Sequence, residues 1–113
     1  MKNFGVVFSR RAEADLDRIE AFIAVDNLDA AAKVRKEIVA QAIRLGENPE
    51  IGWPIKNPKR QHRTVRLWPV TRYSQYLILY RLARQTVRIV SILNAARDWT
   101  RFFQRTPLKR SVY

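Results

Sequence analysis

The chain has 113 residues, 47% hydrophobic and 28% charged, with a net charge of +12; these values predict one globular domain over residues 1–113. It has no cysteine, which excludes a disulfide scaffold and a zinc site with cysteine ligands. It also lacks a signal-peptide core and any apolar run near the roughly 18 residues that cross a bilayer, so we expect a soluble cytoplasmic protein with no membrane partner.

The first half of the chain predicts a strand followed by two helices. Phe4–Phe8 is a short apolar strand, and Ser9 after it is a good helix N-cap. Two amphipathic helices follow, separated by the capping residues 26–29, and the second helix ends at Gly46. The predicted buried stripes are Ala12, Leu16, Ile19, Phe22 and Ile23 in the first helix and Val34, Ile38, Ala42 and Leu45 in the second. The acids of the first helix are expected to lie off its stripe, in contact with solvent: Glu13, Asp15, Asp17 and Glu20.

The second half predicts a sheet. Residues 46–62 form a long connection, and strands are predicted at 62–68, 73–82 and 86–93. Pro69 ends the first of these or places it at an edge, whereas the last two are apolar on both faces and are typical of central strands. Residues 83–85 are short enough for a hairpin. The fold class is therefore α+β: a short N-terminal strand and a two-helix hairpin packed on an antiparallel sheet of three to four strands.

Residue types that commonly carry catalysis are sparse. His62 is the one histidine, so neither a His-pair metal site nor a Ser-His-Asp triad can be assembled. Gly46 and Gly52 lie in a loop that lacks the Lys-Ser/Thr pair of a phosphate-binding P-loop. The acids of the first helix are interpreted as a solvated face rather than as a catalytic pair. We predict no metal site and no cofactor.

The positive charge is concentrated in the second half. Residues 1–50 contain eight basic and nine acidic residues, whereas residues 51–113 contain fourteen basic residues and one acid, Asp98, a net charge of +13. Eleven of the fourteen are arginines, whose planar guanidinium pairs with carboxylates and phosphates. This half therefore predicts an anionic partner: nucleic acid, an acidic membrane surface or an acidic protein.

Several side chains of this half are candidates for that contact. Six arginines on the predicted strands and their exits either share a cationic surface or solvate an outer face: Arg63, Arg66, Arg72, Arg81, Arg88 and Arg97. The sheet aromatics are interpreted as core rather than as base-stacking platforms: Trp68, Tyr73, Tyr76 and Tyr80. Asp98 is interpreted as structural, in an ion pair or as a helix N-cap. Residues 104–113 are expected to be a flexible tail that a partner can order.

Four segments in this order carry a resemblance to a known family. They are Val7–Ser9 with Ala12, Asp15, Leu16 and Ile19, the Pro49–Gly52 loop, Arg72–Arg81, and Ile92–Asp98. Together they resemble the RelE/ParE superfamily of bacterial toxins from type II toxin–antitoxin pairs, over nearly the whole chain. The resemblance implies the fold class predicted above. It also implies a cognate antitoxin whose acidic, amphipathic segment folds onto the toxin in a hetero-oligomer, which accounts for the basic half.

Two branches of this superfamily differ in their functional residues. RelE-like members resemble ribosome-dependent mRNA endonucleases, with Arg or Lys on the strands and commonly a Tyr near the C-terminus, whereas ParE-like members poison DNA gyrase and lack that set. In this chain the position that resembles the central-strand Arg of RelE-like members is Leu77. The stretch where their C-terminal Tyr would lie contains Phe102 and Phe103. A phenyl ring cannot transfer a proton. Only Arg97 matches a RelE-type position, so the chain resembles the ParE branch.

The resemblance leads to the following hypothesis. The chain is a ParE-like toxin of a plasmid-stabilisation type, acting on DNA gyrase by binding rather than as an enzyme. The predicted target-binding residues are Arg72, Arg97, Trp99, Phe102 and Phe103, and the predicted antitoxin-binding residues are Arg63, Arg66, Arg81 and Arg88. Two alternatives remain open: a RelE-like mRNA endonuclease with Arg97 as a catalytic residue, and a non-toxic nucleic-acid-binding module.

Overall fold

The computed structural model describes residues 4–56 and 64–98, and its elements follow the predicted order. They are β1 (Gly5–Phe8), α1 (Arg10–Ala24), α2 (Leu28–Leu45), β2 (Trp53–Lys56), β3 (Thr64–Val70), β4 (Tyr73–Ala83) and β5 (Thr86–Asn94). His62, the predicted start of the strand that is observed as β3, and the predicted tail at 104–113 lie outside the described residues.

The strands form one sheet in the order β1-β5-β4-β3-β2, and the two helices pack on one of its faces. The α+β class and the helical hairpin are confirmed. The sheet has five strands, however, rather than three or four. It is also mixed, because β1 pairs in parallel with β5. The segment Trp53–Lys56, predicted as part of a loop, is the edge strand β2, antiparallel to β3.

Side-chain caps fix where both helices begin. Ser9 Oγ accepts a hydrogen bond from the Ala12 amide and donates one of 2.8 Å to the Val90 carbonyl oxygen. The predicted N-cap is therefore confirmed, and it also ties the start of α1 to β5. Asn27 caps α2 by accepting a hydrogen bond from the Ala30 amide. α2 ends at Gly46, as predicted.

The main core lies between the helices and the sheet. Both predicted helical stripes contribute to it, with two errors on α1. Phe22 is 74% exposed, whereas the next residue, Ile23, packs against the main core, so the buried stripe of α1 does not widen to include Phe22. Asp15 was predicted to face solvent, yet it is buried. It follows Ala12 by three residues and precedes Ile19 by four, which places it on the buried face of the helix.

A second apolar cluster lies on the opposite face of the sheet. It is centred on four buried leucines, Leu67, Leu77, Leu79 and Leu93. Because β4 and β5 contribute side chains to both clusters, the prediction that these two strands are central is confirmed.

Pro69 lies inside β3 and does not end it. β2 pairs only with Thr64–Leu67, so no strand in the described residues requires an amide hydrogen at Pro69 on that side. The pairing with β4 shifts register between Pro69 and Val70. The strand therefore tolerates proline because the edge strand is short.

The predicted β4–β5 hairpin is confirmed, and its turn contains a residue in the left-handed region. Arg84 has φ of 58°, the one positive φ among the described non-glycine residues. We expect Arg84→Gly to raise the free energy of unfolding by about 0.5 kcal/mol, since glycine adopts this conformation without a Cβ penalty. Urea denaturation measures this change. Gln85→Gly is the matched control, and it should lower stability because Gln85 has a negative φ; equal effects of both changes would contradict the prediction.

Candidate functional site

A cavity lies between α1 and the end of β5. It has a volume of about 690 Å³. It is lined by three arginines, two carboxylates and three residues near the end of β5: Arg11, Arg18, Arg97, Asp15, Asp98, Ser91, Ile92 and Leu93. We call this space the arginine cavity.

Asp15 forms the floor of the arginine cavity and is fully engaged. Its Oδ2 accepts hydrogen bonds from Ser91 Oγ at 2.7 Å and from the Ile92 amide at 2.9 Å. Its Oδ1 accepts a hydrogen bond from Arg18. A carboxylate with three donors is stable in a buried position, whereas the same group unpaired is strongly unfavourable. Asp15 therefore fixes the end of β5 against α1.

The turn after β5 carries Arg97 and is held by reciprocal hydrogen bonds. Asn94 Oδ1 accepts from the amides of Ala96 and Arg97 at 3.0 and 3.1 Å. Asp98 Oδ2 in turn accepts from the Asn94 amide at 2.8 Å, and Asp98 Oδ1 accepts from Arg97 Nε at 3.4 Å. The structural interpretation of Asp98 as an ion-pair residue is confirmed. The N-cap, however, is Asn94, because the turn begins one residue after it.

The predicted target-binding residues fall partly within the described chain. Arg97 lines the arginine cavity, with a side chain that is 60% exposed. Arg72 is exposed in the turn before β4, and β4 begins beside the end of β5, where Tyr76 pairs with Asn94. Arg72 and Arg97 therefore lie at the same end of the sheet. Trp99, Phe102 and Phe103 lie outside the described residues.

The predicted antitoxin-binding arginines are divided between the two faces of the sheet. Arg81 and Arg88 are directly opposite each other in the β4–β5 pairing. They alternate with residues of the main core, such as Val87, and so lie on the face away from the helices. Arg66 alternates with Leu67 of the second cluster and therefore lies on the helix side. Arg63 lies outside the described residues.

Arg66 and Tyr80 together hold the loop before β2. Arg66 Nη1 donates to the carbonyl oxygens of Glu50 at 3.0 Å and Gly52 at 2.8 Å. The Tyr80 hydroxyl donates to the Pro49 carbonyl oxygen at 2.8 Å and accepts from the Gly52 amide at 2.9 Å. A Cβ at Gly52 would lie 2.6 Å from the Tyr80 hydroxyl oxygen, so only glycine fits there without movement. Arg66 and Tyr80 therefore both stabilise the conformation of this loop.

Burial raises the pKa of the Tyr80 phenol above its ordinary value of 10.0. The folded state then holds this proton more tightly than the unfolded chain, so the associated stability is complete below about pH 10 and is lost as pH rises further. Tyr80→Phe should lower the free energy of unfolding by about 1–2 kcal/mol at pH 7, because it leaves the Gly52 amide without its acceptor.

The pH dependence of the difference between the wild type and Tyr80→Phe checks this assignment. All other titrating groups are shared, so the stability difference should shrink as pH rises above 10. Chemical denaturation of both proteins at pH 7 and pH 10.5 measures it. A difference that is constant across this range would contradict the buried, protonated role of Tyr80.

The other sheet aromatics also have packing roles. Tyr76 is buried in the main core. The Trp68 indole donates to Gln41 Oε1 at 3.2 Å and packs against Trp53, with ring centroids 6.4 Å apart. The interpretation of these aromatics as core, rather than as base-stacking platforms, is confirmed for Tyr76 and Tyr80, which are buried.

Sequence reasoning missed the residues of α1 that line the arginine cavity. Asp15 was assigned to the solvent face, and Arg11 and Arg18 were not considered. The spacing of three and four residues around Asp15 was a usable signal, since it places a charge on a buried stripe. No comparable signal joined Arg11 to Arg97, because their proximity depends on the packing of α1 against β5.

The described residues contain neither a metal-binding cluster nor a membrane-spanning helix. No group of three or more His, Asp and Glu side chains there is arranged to hold a metal ion. No helix in the same part of the chain is long and apolar enough to span a membrane.

Comparison with known families decides the assignment. Residues 6–99 match the model of a family described as the ParE toxin of the type II toxin–antitoxin system, parDE. The chain belongs to this ParE toxin family. Its predicted place in the RelE/ParE superfamily, on the ParE branch, is confirmed, and it is a toxin of the type II toxin–antitoxin class.

Solved structures agree on the fold of this ParE-family toxin. The chromosomal ParDE toxin–antitoxin system from P. aeruginosa contains a chain with a TM-score of 0.66 and 24% identity, covering 80% of this chain and 95% of that one. The toxin–antitoxin complex RelBE2 from Mycobacterium tuberculosis contains a chain with a TM-score of 0.58 and 19% identity, covering 83% and 93%. No curated protein sequence matches significantly.

Proposed function

We propose that this ParE-family toxin arrests growth by binding DNA gyrase and that a cognate antitoxin neutralises it by binding. Membership of the family supports the toxin class. The observation that favours binding over RNA cleavage is the environment of Leu77, the position that resembles the central-strand Arg of RelE-like nucleases. Leu77 lies in the apolar cluster with Leu67, Leu79 and Leu93, and a leucine side chain cannot stabilise the charge that develops in a transition state.

Two side chains near the sheet that could transfer a proton, Tyr80 and Asp15, are already used to hold the fold. Cleavage of a phosphodiester needs one group to deprotonate the 2′-hydroxyl and another to protonate the leaving oxygen. Tyr80 is buried and engaged with Pro49 and Gly52. Asp15 is buried with Ser91 and Ile92. Both side chains therefore support structure rather than proton transfer.

We assign target binding to the end of the sheet that carries Arg72 and Arg97. Both side chains are exposed, and Arg97 is held on a capped turn. An exposed arginine on a rigid support loses less conformational entropy on binding than one on a free segment. Trp99, Phe102 and Phe103 follow this turn in the sequence and are proposed to extend the same surface.

We assign antitoxin binding to the sheet face that carries Arg81 and Arg88. Like charges directly opposite each other in a sheet are destabilising, and neither arginine has an ion-pair partner among the described residues. Along the same register lie Val7 beside Arg88 and Val65 beside Arg81. An acidic segment with apolar flanks complements this row, so the antitoxin is proposed to cover it.

Replacing both arginines tests the antitoxin assignment. The change Arg81→Gln with Arg88→Gln should weaken antitoxin binding by about tenfold or more and reduce its salt dependence, because two charge pairs are lost. Isothermal titration calorimetry with the cognate antitoxin measures its affinity for each toxin variant. Arg84→Gln, an exposed turn arginine between them in sequence, is the matched control. Equal losses from the control and the double variant would indicate only a general effect of charge.

A supercoiling assay with purified DNA gyrase tests the target. The toxin should inhibit supercoiling, and Arg97→Gln should inhibit less. No inhibition at micromolar toxin would overturn the gyrase assignment. Codon-linked mRNA cleavage in a translating extract, lost in Arg97→Ala, would instead establish a RelE-like endonuclease.

A further inference from the structure

We propose that the arginine cavity receives one acidic side chain of the protein that the toxin targets, with Arg11 as its main contact. This inference rests on the proposed function, because it concerns the partner of the same end of the sheet. It adds α1 to the proposed target surface. The residues predicted from the sequence for that surface were Arg72, Arg97 and the aromatic residues that follow Arg97.

The charges of the cavity leave one arginine without a counter-ion. Arg18 pairs with Asp15, and Arg97 pairs with Asp98. Arg11 has no hydrogen bond or ion pair within residues 4–56 and 64–98. It precedes Asp15 by one helical turn, but both oxygens of Asp15 already accept from other donors. The five charged side chains therefore carry a net charge of +1.

The position of Arg11 within α1 is itself unfavourable. It lies in the first turn of the helix, where the unpaired backbone amides produce a partial positive charge. A cation there is destabilising, whereas an anion near the same point is stabilising. A bound carboxylate would therefore interact with both the Arg11 guanidinium and the start of the helix.

The same charges favour a single carboxylate over a nucleic-acid backbone. A DNA strand presents a regular row of phosphates and requires a row of cations. Here Asp15 and Asp98 line the cavity beside the arginines and would repel a second negative group. A single acidic side chain needs only one free guanidinium group. The planar guanidinium can form a bidentate pair with its carboxylate.

The walls of the cavity suit an amino-acid side chain. Ile92, whose side chain belongs to the main core on the helix side of the sheet, supplies an apolar wall beside the charged rim. The aliphatic part of a Glu or Asp side chain can pack there while its carboxylate reaches Arg11. An ion pair formed in such a partly enclosed site is screened less by salt than one on an open surface.

The test compares Arg11→Gln with Arg10→Gln in two measurements. Arg10 is the adjacent exposed arginine of the same helical turn, and it does not line the cavity. Growth arrest after induction in cells measures toxicity without assuming the target. Binding of purified toxin to DNA-free gyrase measures affinity for the proposed target. Circular dichroism confirms that both variants are folded, as expected for exposed side chains.

We expect Arg11→Gln to weaken gyrase binding at least tenfold and to reduce growth arrest, Arg11→Lys to retain part of both, and Arg10→Gln to behave as wild type. Growth arrest by Arg11→Gln equal to that of wild type, at equal expression, would overturn the cavity proposal. An Arg11→Gln defect that appears only when DNA is present would overturn the carboxylate assignment in favour of a phosphate. If wild-type toxin does not bind gyrase, the proposed target is wrong, and the growth-arrest comparison alone decides the cavity proposal.

Discussion

Asp15→Ala is expected to lower the free energy of unfolding by about 3 kcal/mol, corresponding to a fall in Tm of roughly 10 °C. The substitution removes the one acceptor that serves Ser91 Oγ and the Ile92 amide, and both donors are buried. A buried amide without an acceptor retains its full desolvation penalty. Asp15→Asn should be milder, since its amide oxygen can still accept from one of the two donors.

Asp17→Ala is the matched control for the Asp15 prediction. Asp17 lies two residues away on the same helix, its side chain is 72% exposed, and it pairs with Arg35 at the surface. An exposed ion pair contributes between 0 and about 1 kcal/mol, so this variant should remain close to wild type. Urea denaturation of the three proteins measures the comparison. A loss in Asp15→Ala no larger than that in Asp17→Ala would show that the buried network does not hold β5.

Gly46→Ala is expected to lower the free energy of unfolding by about 2–3 kcal/mol, because the added methyl group has no space. A Cβ at this position would lie 2.5 Å from the Phe4 carbonyl oxygen and 2.9 Å from Val6 Cγ2. The nearest atom belongs to the backbone, so relief requires β1 to move relative to the end of α2. That movement would also disturb the 2.8 Å hydrogen bond from the Phe4 amide to the Gly46 carbonyl oxygen.

Gly5→Ala provides the control for the Gly46 prediction. A Cβ at Gly5 would meet no atom within 4 Å, and Gly5 has no positive φ. This change should be neutral or slightly stabilising, since alanine restricts the unfolded chain. Thermal unfolding of both variants measures the difference. Equal Tm values would mean that β1 is not fixed against α2 at this point.

The long periodic elements and the strand β1 could be predicted from the sequence, whereas the edge strand β2 and the pairing partner of β1 could not. The stripes at Val34, Ile38 and Ala42 and the two-faced apolar runs of β4 and β5 each span many residues, so the pattern was clear. β1 and β2 are four residues each. The parallel pairing of β1 with β5 depends on how the chain crosses over α1 and α2, which no local pattern encodes.

The functional assignments depended even more on tertiary structure. Arg97 was recognisable from its segment, but its neighbours Arg11 and Arg18 approach it only because α1 packs against β5. Similarly, Arg66 and Arg81 belong to neighbouring strands and appeared equivalent in the sequence. Register places Arg81 opposite Arg88 on the outer face, whereas Arg66 donates to Glu50 and Gly52.

The most direct test of the proposed function is a titration of toxin against a fixed amount of DNA gyrase, followed by addition of the antitoxin. A binding toxin should inhibit supercoiling with a plateau near equimolar toxin and gyrase, and antitoxin should restore activity in the same proportion. Inhibition by far less than one toxin per gyrase, or no inhibition at micromolar toxin, would contradict a toxin that acts by binding gyrase.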